Sequence, residues 1–299
     1  MRLWVAVALA CALIAACGDD STATDEPAAE LAVPWIDPDG DPPIVGSLTL
    51  NPADSTLFMA TNTGLFRIPE GASEPERVVG QLETPDGSGE VSEALVVRFV
   101  GPDTLLGSGH PAAGASLPPA LGLIRSEDAG KTWSSVSELG RADFHAIEPA
   151  GDDIVGALFQ QPQVLVSGDE GKTWETRAAP LPLVALDVNP EDPRLWVGST
   201  DRGIFTSRDS GKTWRQLDPT PNSRFTWVED GTLYRIDPGG PLKVSTDGGQ
   251  QWEDRGSTGG EPQAMTVDEG GKIYVALIDG TLKVSDDGGQ TFTDRVKGG

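Results

Sequence analysis

The sequence predicts an all-β fold, a ring of short four-stranded sheets, and three observations predict it. An eight-residue pattern recurs five times at a period near forty residues. Short apolar runs of β character, about four to a period, fill the intervals, with no helical periodicity. The composition suits a chain of many turns: 37 Gly and 24 Pro in 299 residues, with 6% aromatics. About 260 residues remain once the leader described below is set aside, enough for one large domain.

The repeated segments align without gaps. They are Ser126 to Trp133, Ser167 to Trp174, Ser207 to Trp214, Ser245 to Trp252 and Ser285 to Phe292. Each carries an aspartate at its third position: Asp128, Asp169, Asp209, Asp247 and Asp287, spaced by 41, 40, 38 and 40 residues. Each lies between two β-type runs, so each is the tip of a hairpin. The carboxylate there accepts hydrogen bonds from backbone N–H groups of the turn, and the Gly two places on takes φ > 0. The terminal Trp or Phe is the apolar piece that wedges one hairpin against its neighbour. These five aspartates are therefore structural. The pattern Ser-x-Asp-x-Gly-x-Thr-Trp resembles the Asp-box, or BNR, repeat of sialidases, sortilin-like receptors and many bacterial propeller proteins.

Between the turns the units repeat as well. Val184 to Val188 and Leu195 to Gly198 parallel Ala264 to Val267 and Ile273 to Ala276, and Ser47 to Leu50 with Thr56 to Ala60 fits the same frame. Four short strands per unit describe the blade of a β-propeller. Six units begin near Ile44, Val91, Asp143, Leu183, Arg224 and Gln263, which gives a six-bladed ring over residues 44–299; seven blades are the lesser alternative. The segment before Ile44 is expected to add a strand to the last blade and so close the ring.

The first 16 residues read as a secretory signal: Arg2, an apolar stretch and small residues ending Ile14-Ala15-Ala16-Cys17. That ending resembles a bacterial lipobox, which implies cleavage before Cys17 and a diacylglyceryl group on its thiol. Cys11 is the other cysteine and falls within the signal. The processed chain then has no free thiol, which excludes a disulfide, a cysteine metal site and a cysteine nucleophile. Residues 18–43 carry eight acids, no base and five prolines, so 17–43 reads as a disordered tether. The expected location is outside the cell, lipid-anchored to the outer face of a bacterial membrane. The formal charge is 22 − 46 = −24, which argues against nucleic acid and against adhesion to anionic lipid.

Strand order sends all five aspartate turns to one face. The loops between second and third strands, and the starts of the first strands, open on the other face around the channel. By resemblance, propellers of this kind bind ligands there. His110, Asp143, His145, Gln160, Arg202 and Arg224 are the expected ligand-binding residues on that mouth. Asp201, Asp237 and Asp279 supply the carboxylates for any catalysis. A metal reading of the two histidines needs a third ligand, Asp143 or Asp103. Two structural histidines are preferred, so no metal and no cofactor is expected.

Phe66-Arg67-Ile68-Pro69 is similar to the FRIP signature of sialidases, which would imply substrate binding by Arg67. The only tyrosines, Tyr234 and Tyr274, occupy equivalent positions in two units, which marks them as packing residues, and FRIP is read as coincidence. A wider resemblance rests on Phe99 to Pro111, Leu121 to Trp133 and Ala142 to Ala146. These are similar to a family of secreted bacterial Asp-box proteins, many of them lipoproteins, often described as glycosyl hydrolases. The chain departs from that family at Ile44-Val-Gly-Ser47, where a histidine-bearing sequence is expected. The leading functional reading is a binding or assembly scaffold for a protein partner or glycan. The alternative is a glycoside hydrolase. Hydrolysis requires two carboxyl groups about 5–10 Å apart beside a sugar-sized cleft, whereas a scaffold presents a broad patch with exposed apolar side chains.

Overall fold

Turn chemistry repeated along the chain cuts it into antiparallel sheets. In the computed structural model the described residues are 42–298. The signal segment, Cys17 and nearly all of the tether lie outside them. The first sheet is β1 (Val45–Leu50), β2 (Leu57–Thr61), β3 (Gly64–Ile68) and β4 (Glu76–Val78), paired in that order. Four more sheets have the same order. One is β10 (Phe144–Ala150), β11 (Asp153–Leu158), β12 (Gln163–Ser167) and β13 (Glu175–Ala178). The next is β14 (Ala185–Val188), β15 (Trp196–Thr200), β16 (Gly203–Ser207) and β17 (Arg215–Asp218). Then come β18 (Arg224–Trp227), β19 (Leu233–Ile236), β20 (Pro241–Ser245) and β21 (Glu253–Ser257). The last is β22 (Pro262–Val267), β23 (Ile273–Leu277), β24 (Leu282–Ser285) and β25 (Thr293–Val296). The described residues contain no helix. The fold is an all-β propeller.

Six equal four-stranded blades are not what the chain forms. Five sheets are regular, and the second unit is instead closed on itself from β5 (Gly80–Thr84), β6 (Gly87–Gly101), β7 (Thr104–Pro111), β8 (Leu123–Ser126) and β9 (Thr132–Ser137). The cause is local. Pro85-Asp86 turns the chain back so that β5 pairs antiparallel with the start of β6, and β5 also runs parallel to β9. β6 carries three register shifts that bend it between these partners. Gly80 makes the closure possible, because a Cβ there would lie 2.5 Å from the Trp133 indole nitrogen.

Inner strands β1, β6, β10, β14, β18 and β22 adjoin in that order, and β22 returns to β1. Closure differs from the expectation. Residues 42–44 form no strand, and the last blade is complete from one stretch of chain. Side chains join the ends instead. Gln263 accepts the Val45 N–H and donates to the Pro43 carbonyl, while Arg295 donates to the carbonyls of Pro69 (2.7 Å) and Ala72 (3.1 Å). A shared core of Val45, Leu48, Phe66, Ala264, Tyr274 and Leu282 lies between them.

Each aspartate turn is built alike. The Asp169 carboxylate accepts the N–H groups of Lys172 (3.1 Å) and Thr173 (2.8 Å) and the hydroxyls of Ser167 (2.8 Å) and Thr173 (2.7 Å). Ser167 Oγ in turn accepts the Gly171 N–H at 2.8 Å. Two successive residues are left-handed, Glu170 at φ 62° and Gly171 at φ 83°. A Cβ on Gly171 would meet Leu123 of the preceding unit at 2.1 Å, so the turn is pressed onto its neighbour. Trp174 completes the contact, lying 5.2 Å from the Phe144 ring and donating its indole N–H to Ser137 Oγ of the preceding unit at 2.9 Å.

Two outcomes follow from this packing. Trp174→Ala removes a half-buried aromatic and its bond to the preceding unit, at a cost of about 2–3 kcal/mol, read as a drop of several degrees in melting temperature. An unchanged midpoint contradicts the wedge. The second concerns acid. Hydrogen bonds from Thr173, Thr213 and Thr291, then from the serines, hold Asp169, Asp209 and Asp287 at about 2. A carboxyl lowered on folding stabilises above its unfolded pKa of about 3.9, and that stabilisation is lost as pH falls through the folded value. The melting temperature therefore falls between about pH 4 and pH 2. A triple Asp→Asn variant at these positions has a shallower fall, and equal slopes would refute the assignment.

Candidate functional site

Two ends of the channel are defined by which turns they carry. The aspartate turns sit with the loops between first and second strands, as the bonds Ala129 N–H to Asp103 O (2.9 Å) and Ser210 N–H to Arg194 O (3.0 Å) show. The mouth opposite carries most of the expected ligand residues. His110, at the end of β7, donates from Nδ1 to the Pro119 carbonyl at 2.6 Å. Its Nε2 lies 3.8 Å from Asp143 Oδ1, and His145 Nε2 lies 3.5 Å from Asp143 Oδ2. The carboxylate thus stands between two imidazoles from adjacent units. Burial alone raises the Asp143 pKa, but His145 and then His110 bring it below the ordinary value. The His145 ring stacks on Phe159 at 4.2 Å and 19°.

Other expected residues are dispersed. Gln160 is exposed in the β11–β12 turn with φ 51°. Asp201 and Arg202 are exposed in the β15–β16 turn, where the Arg202 N–H bonds Thr200 Oγ1. Arg224 is committed to the ring, donating Nε to the Gln263 carbonyl at 2.6 Å and Nη1 to the Asn222 carbonyl at 3.1 Å. Burial lowers its pKa against the field of Glu261. Asp103 is at the other end, accepting from Asn51 Nδ2 at 2.7 Å, so it is no partner for the histidines. Among the described residues no group of three His, Cys, Asp or Glu is placed to hold a metal ion.

The three carboxylates reserved for catalysis have different surroundings. Asp237 is buried and accepts from Ser223 Oγ (2.7 Å) and Arg235 Nε (2.6 Å). Arg235, 1% exposed, also pairs with Asp218 at 3.2 Å and stacks on Trp252. Asp237 is therefore a structural ion-pair partner. Asp279 is exposed and accepts the Thr281 N–H of its own turn at 2.9 Å. Asp201 is exposed on a separate turn. Arg67, of the FRIP segment, is exposed on β3 and pairs with Glu76 of β4 at 2.8 Å.

Sequence reasoning missed the residues inside the channel. Arg98 of β6 pairs with Glu148 of β10 at 3.0 Å, and Asp187 of β14 accepts the N–H groups of Val188 (2.7 Å) and Trp227 (2.9 Å). Burial pushes both carboxyls above their ordinary pKa, with Arg98 opposing. The same two acids hold the guanidinium pKa up against its own burial. A signal was present: one charged residue inside an apolar inner strand in three successive units. The space among them is about 80 Å³ and touches all six inner strands, well under the ~300–1,000 Å³ of small-molecule pockets.

The mouth also carries exposed apolar side chains. Among the described residues five large apolar side chains are exposed, Ile44, Val100, Phe159, Val184 and Ile278, and all but Val100 lie on this face. Phe159 and Val184 belong to adjacent units, as do Ile278 and Ile44, and the two sets lie across the ring from one another.

Residues 122–236 match the Sortilin-Vps10 family (sortilin, neurotensin receptor 3). The chain is 35% identical over 111 residues to the probable oligoxyloglucan-reducing end-specific xyloglucanase of Neosartorya fischeri. That segment is 29% of this chain and only 14% of the relative's length. In fold the chain is similar to the GH74 enzyme of Niastella koreensis (TM-score 0.55, 13% identity), covering 85% of this chain and 45% of that one. It is also similar to a structure of YCF48 bound to a D1 peptide (TM-score 0.52, 12% identity), covering 79% and 90%. These likenesses support a β-propeller with glycosyl hydrolase-like relatives.

The mouth carboxylates can be separated by stability. Asp237→Ala takes one of the two carboxylate partners from a buried guanidinium and costs about 2 kcal/mol in chemical unfolding. Asp201→Ala stays within about 0.5 kcal/mol. Equal effects would contradict the assigned roles.

Proposed function

We propose that the chain is a binding or assembly scaffold that docks a protein partner on the channel mouth. The observation that carries this is the bias of exposed apolar side chains to one face: four of the five large ones among the described residues, Ile44, Phe159, Val184 and Ile278, lie on the mouth. Interfaces place such apolar side chains among polar ones. Arg202, Asp201 and Asp279 supply a polar rim, and Asp143, His110 and His145 the polar groups within it. The peptide held by the YCF48 protein is consistent with this use of a propeller.

The reading includes the wider assignment: a secreted bacterial Asp-box (BNR) propeller lipoprotein, held to the outer face of a membrane by lipid on Cys17. The closed sheet β5–β9 is counted as the sixth unit of its ring, because β6 fills the place between β1 and β10. The producing cell then incorporates labelled palmitate into the chain and not into a Cys17→Ala variant. Equal labelling of the two, or none of the parent chain, would overturn the anchor.

The alternative, glycoside hydrolysis at Asp201, Asp237 and Asp279, draws on the xyloglucanase and GH74 likenesses. Weighing against it is the ion pairing of Asp237 with a buried guanidinium. Incubation with xyloglucan oligosaccharides and a panel of aryl glycosides is expected to release no new reducing ends. Turnover lost in Asp201→Asn or Asp279→Asn would overturn the scaffold reading. Phe159→Asp and Ile278→Asp are expected to abolish cross-linking of the chain to its partner at the membrane while leaving the melting temperature unchanged.

A further inference from the structure

On the face of the aspartate turns, a groove of about 950 Å³ runs between the second and third units. Two aspartate turns frame it, the first with Arg125 and Glu127 and the second with Glu170 and Lys172. Both turns are already held in place: the Ala129 N–H bonds the Asp103 carbonyl at 2.9 Å, and Gly171 lies against Leu123. An apolar strip lines the groove, made by Val100, Pro102, Val136, Pro149 and Ile154. Among the described residues Val100 is the one large apolar side chain exposed away from the mouth. Its exposure has a backbone cause. The register of β6 on β7 shifts between Phe99 and Gly101, which leaves Val100 without a partner across the ladder, and such a bulge re-aims the side chain it carries. The charges beside the strip are unevenly committed. Arg125 pairs with Glu127 at 3.4 Å and Lys172 with Glu170 at 3.0 Å. Asp152 and Asp153, at the β10–β11 turn, and Glu229, after β18, also line the groove; all three are exposed and have no ion pair among the described residues.

We infer that this groove docks an extended segment of a partner protein in which Lys or Arg is interspersed with apolar residues. The apolar strip supplies contact area at the centre of the groove, as interfaces require. The three uncommitted carboxylates accept from cationic side chains and repel acidic ones. Acidity alone would not select this place on a chain of net charge −24; the apolar strip beside the acids does. Walls set by the fold spare the complex the cost of ordering them. The groove is on the face opposite the mouth, so it stands or falls apart from the scaffold reading.

The probe is a fluorescein-labelled peptide of Lys-Val-Pro repeats, extended as polyproline II so that its lysines share one edge, and the full chain is titrated into it by anisotropy. It is expected to bind about tenfold more tightly than a Lys-Ser-Gly repeat of equal charge. A Glu-Val-Pro repeat is expected not to bind, and added salt to weaken the Lys-Val-Pro complex. Val100→Lys sets a like charge in the strip and is expected to lower affinity about tenfold. The triple variant Asp152→Asn, Asp153→Asn, Glu229→Gln does the same without altering an apolar residue, and carries the test if Val100→Lys does not fold. A matched triple variant, Asp86→Asn, Asp201→Asn, Asp279→Asn, removes as many exposed acids elsewhere and is expected to leave affinity unchanged, as is Phe159→Asp at the mouth. Failure of the Lys-Val-Pro peptide to bind, equal binding of the two lysine peptides, equal losses in the two triple variants, or loss in Phe159→Asp would each overturn the site. None of these results bears on whether a partner docks at the mouth.

Discussion

The hydrogen-bonded aspartate turn is the interaction on which the rest depends. One carboxylate and one serine hydroxyl satisfy the N–H groups of a turn that would otherwise expose them. With that satisfied, two consecutive left-handed residues become tolerable, and the turn closes tightly enough to lie on the neighbouring unit. The aromatic at its end then reaches across the gap, as Trp174 does to Ser137. A single device therefore serves the local fold and the long-range order. The fourth turn shows which part is dispensable. Gln251 stands where the others have Thr, yet its backbone N–H still reaches Asp247 at 2.9 Å.

A ring built this way has inner strands that do not share a backbone ladder, and side chains must join them. Ser47 bonds both backbone groups of Val97, Thr226 donates to the Met265 carbonyl, and Asp187 takes the Trp227 N–H. Arg98 and Glu148 do the same work with charge. Burial raises the Glu148 pKa because six strands leave little water around it. A charged residue at the channel is thus explained by ring cohesion before any chemistry is invoked. The same reasoning places Arg224, whose donors are spent on the backbone of β22 and of its own loop.

Much of this was legible in the sequence because it is local. The five turns, their spacing and the starts of β1, β10, β14, β18 and β22 follow from a period that any strand–turn chain must respect. The second unit was not legible. Residues 80–84 alternate buried and exposed as a strand does, but nothing local says that β5 turns to β9 rather than extending a neighbouring blade. Parallel pairing over such a separation is a tertiary choice. The mouth was legible as a list of residues and not as a site. His110, Asp143 and His145 converge as their adjacent units imply. Asp237 fails because its partner Arg235, two residues away on β19, is buried rather than free.

That failure bears on how carboxylates in such a ring should be read. An acid in a loop at the channel is open to chemistry only if the fold has not already claimed it. Asp237 is claimed by Arg235 and Ser223, Asp187 by two backbone N–H groups, and the turn aspartates by four donors each in the Thr-bearing examples. The exposed acids Glu229 and Glu269, at the opposite end, have no such commitment among the described residues. The mouth keeps four apolar side chains outward and leaves Asp201, Arg202 and Asp279 exposed beside them. The two ends differ in chemistry because the repeated turn sends different loops to each face.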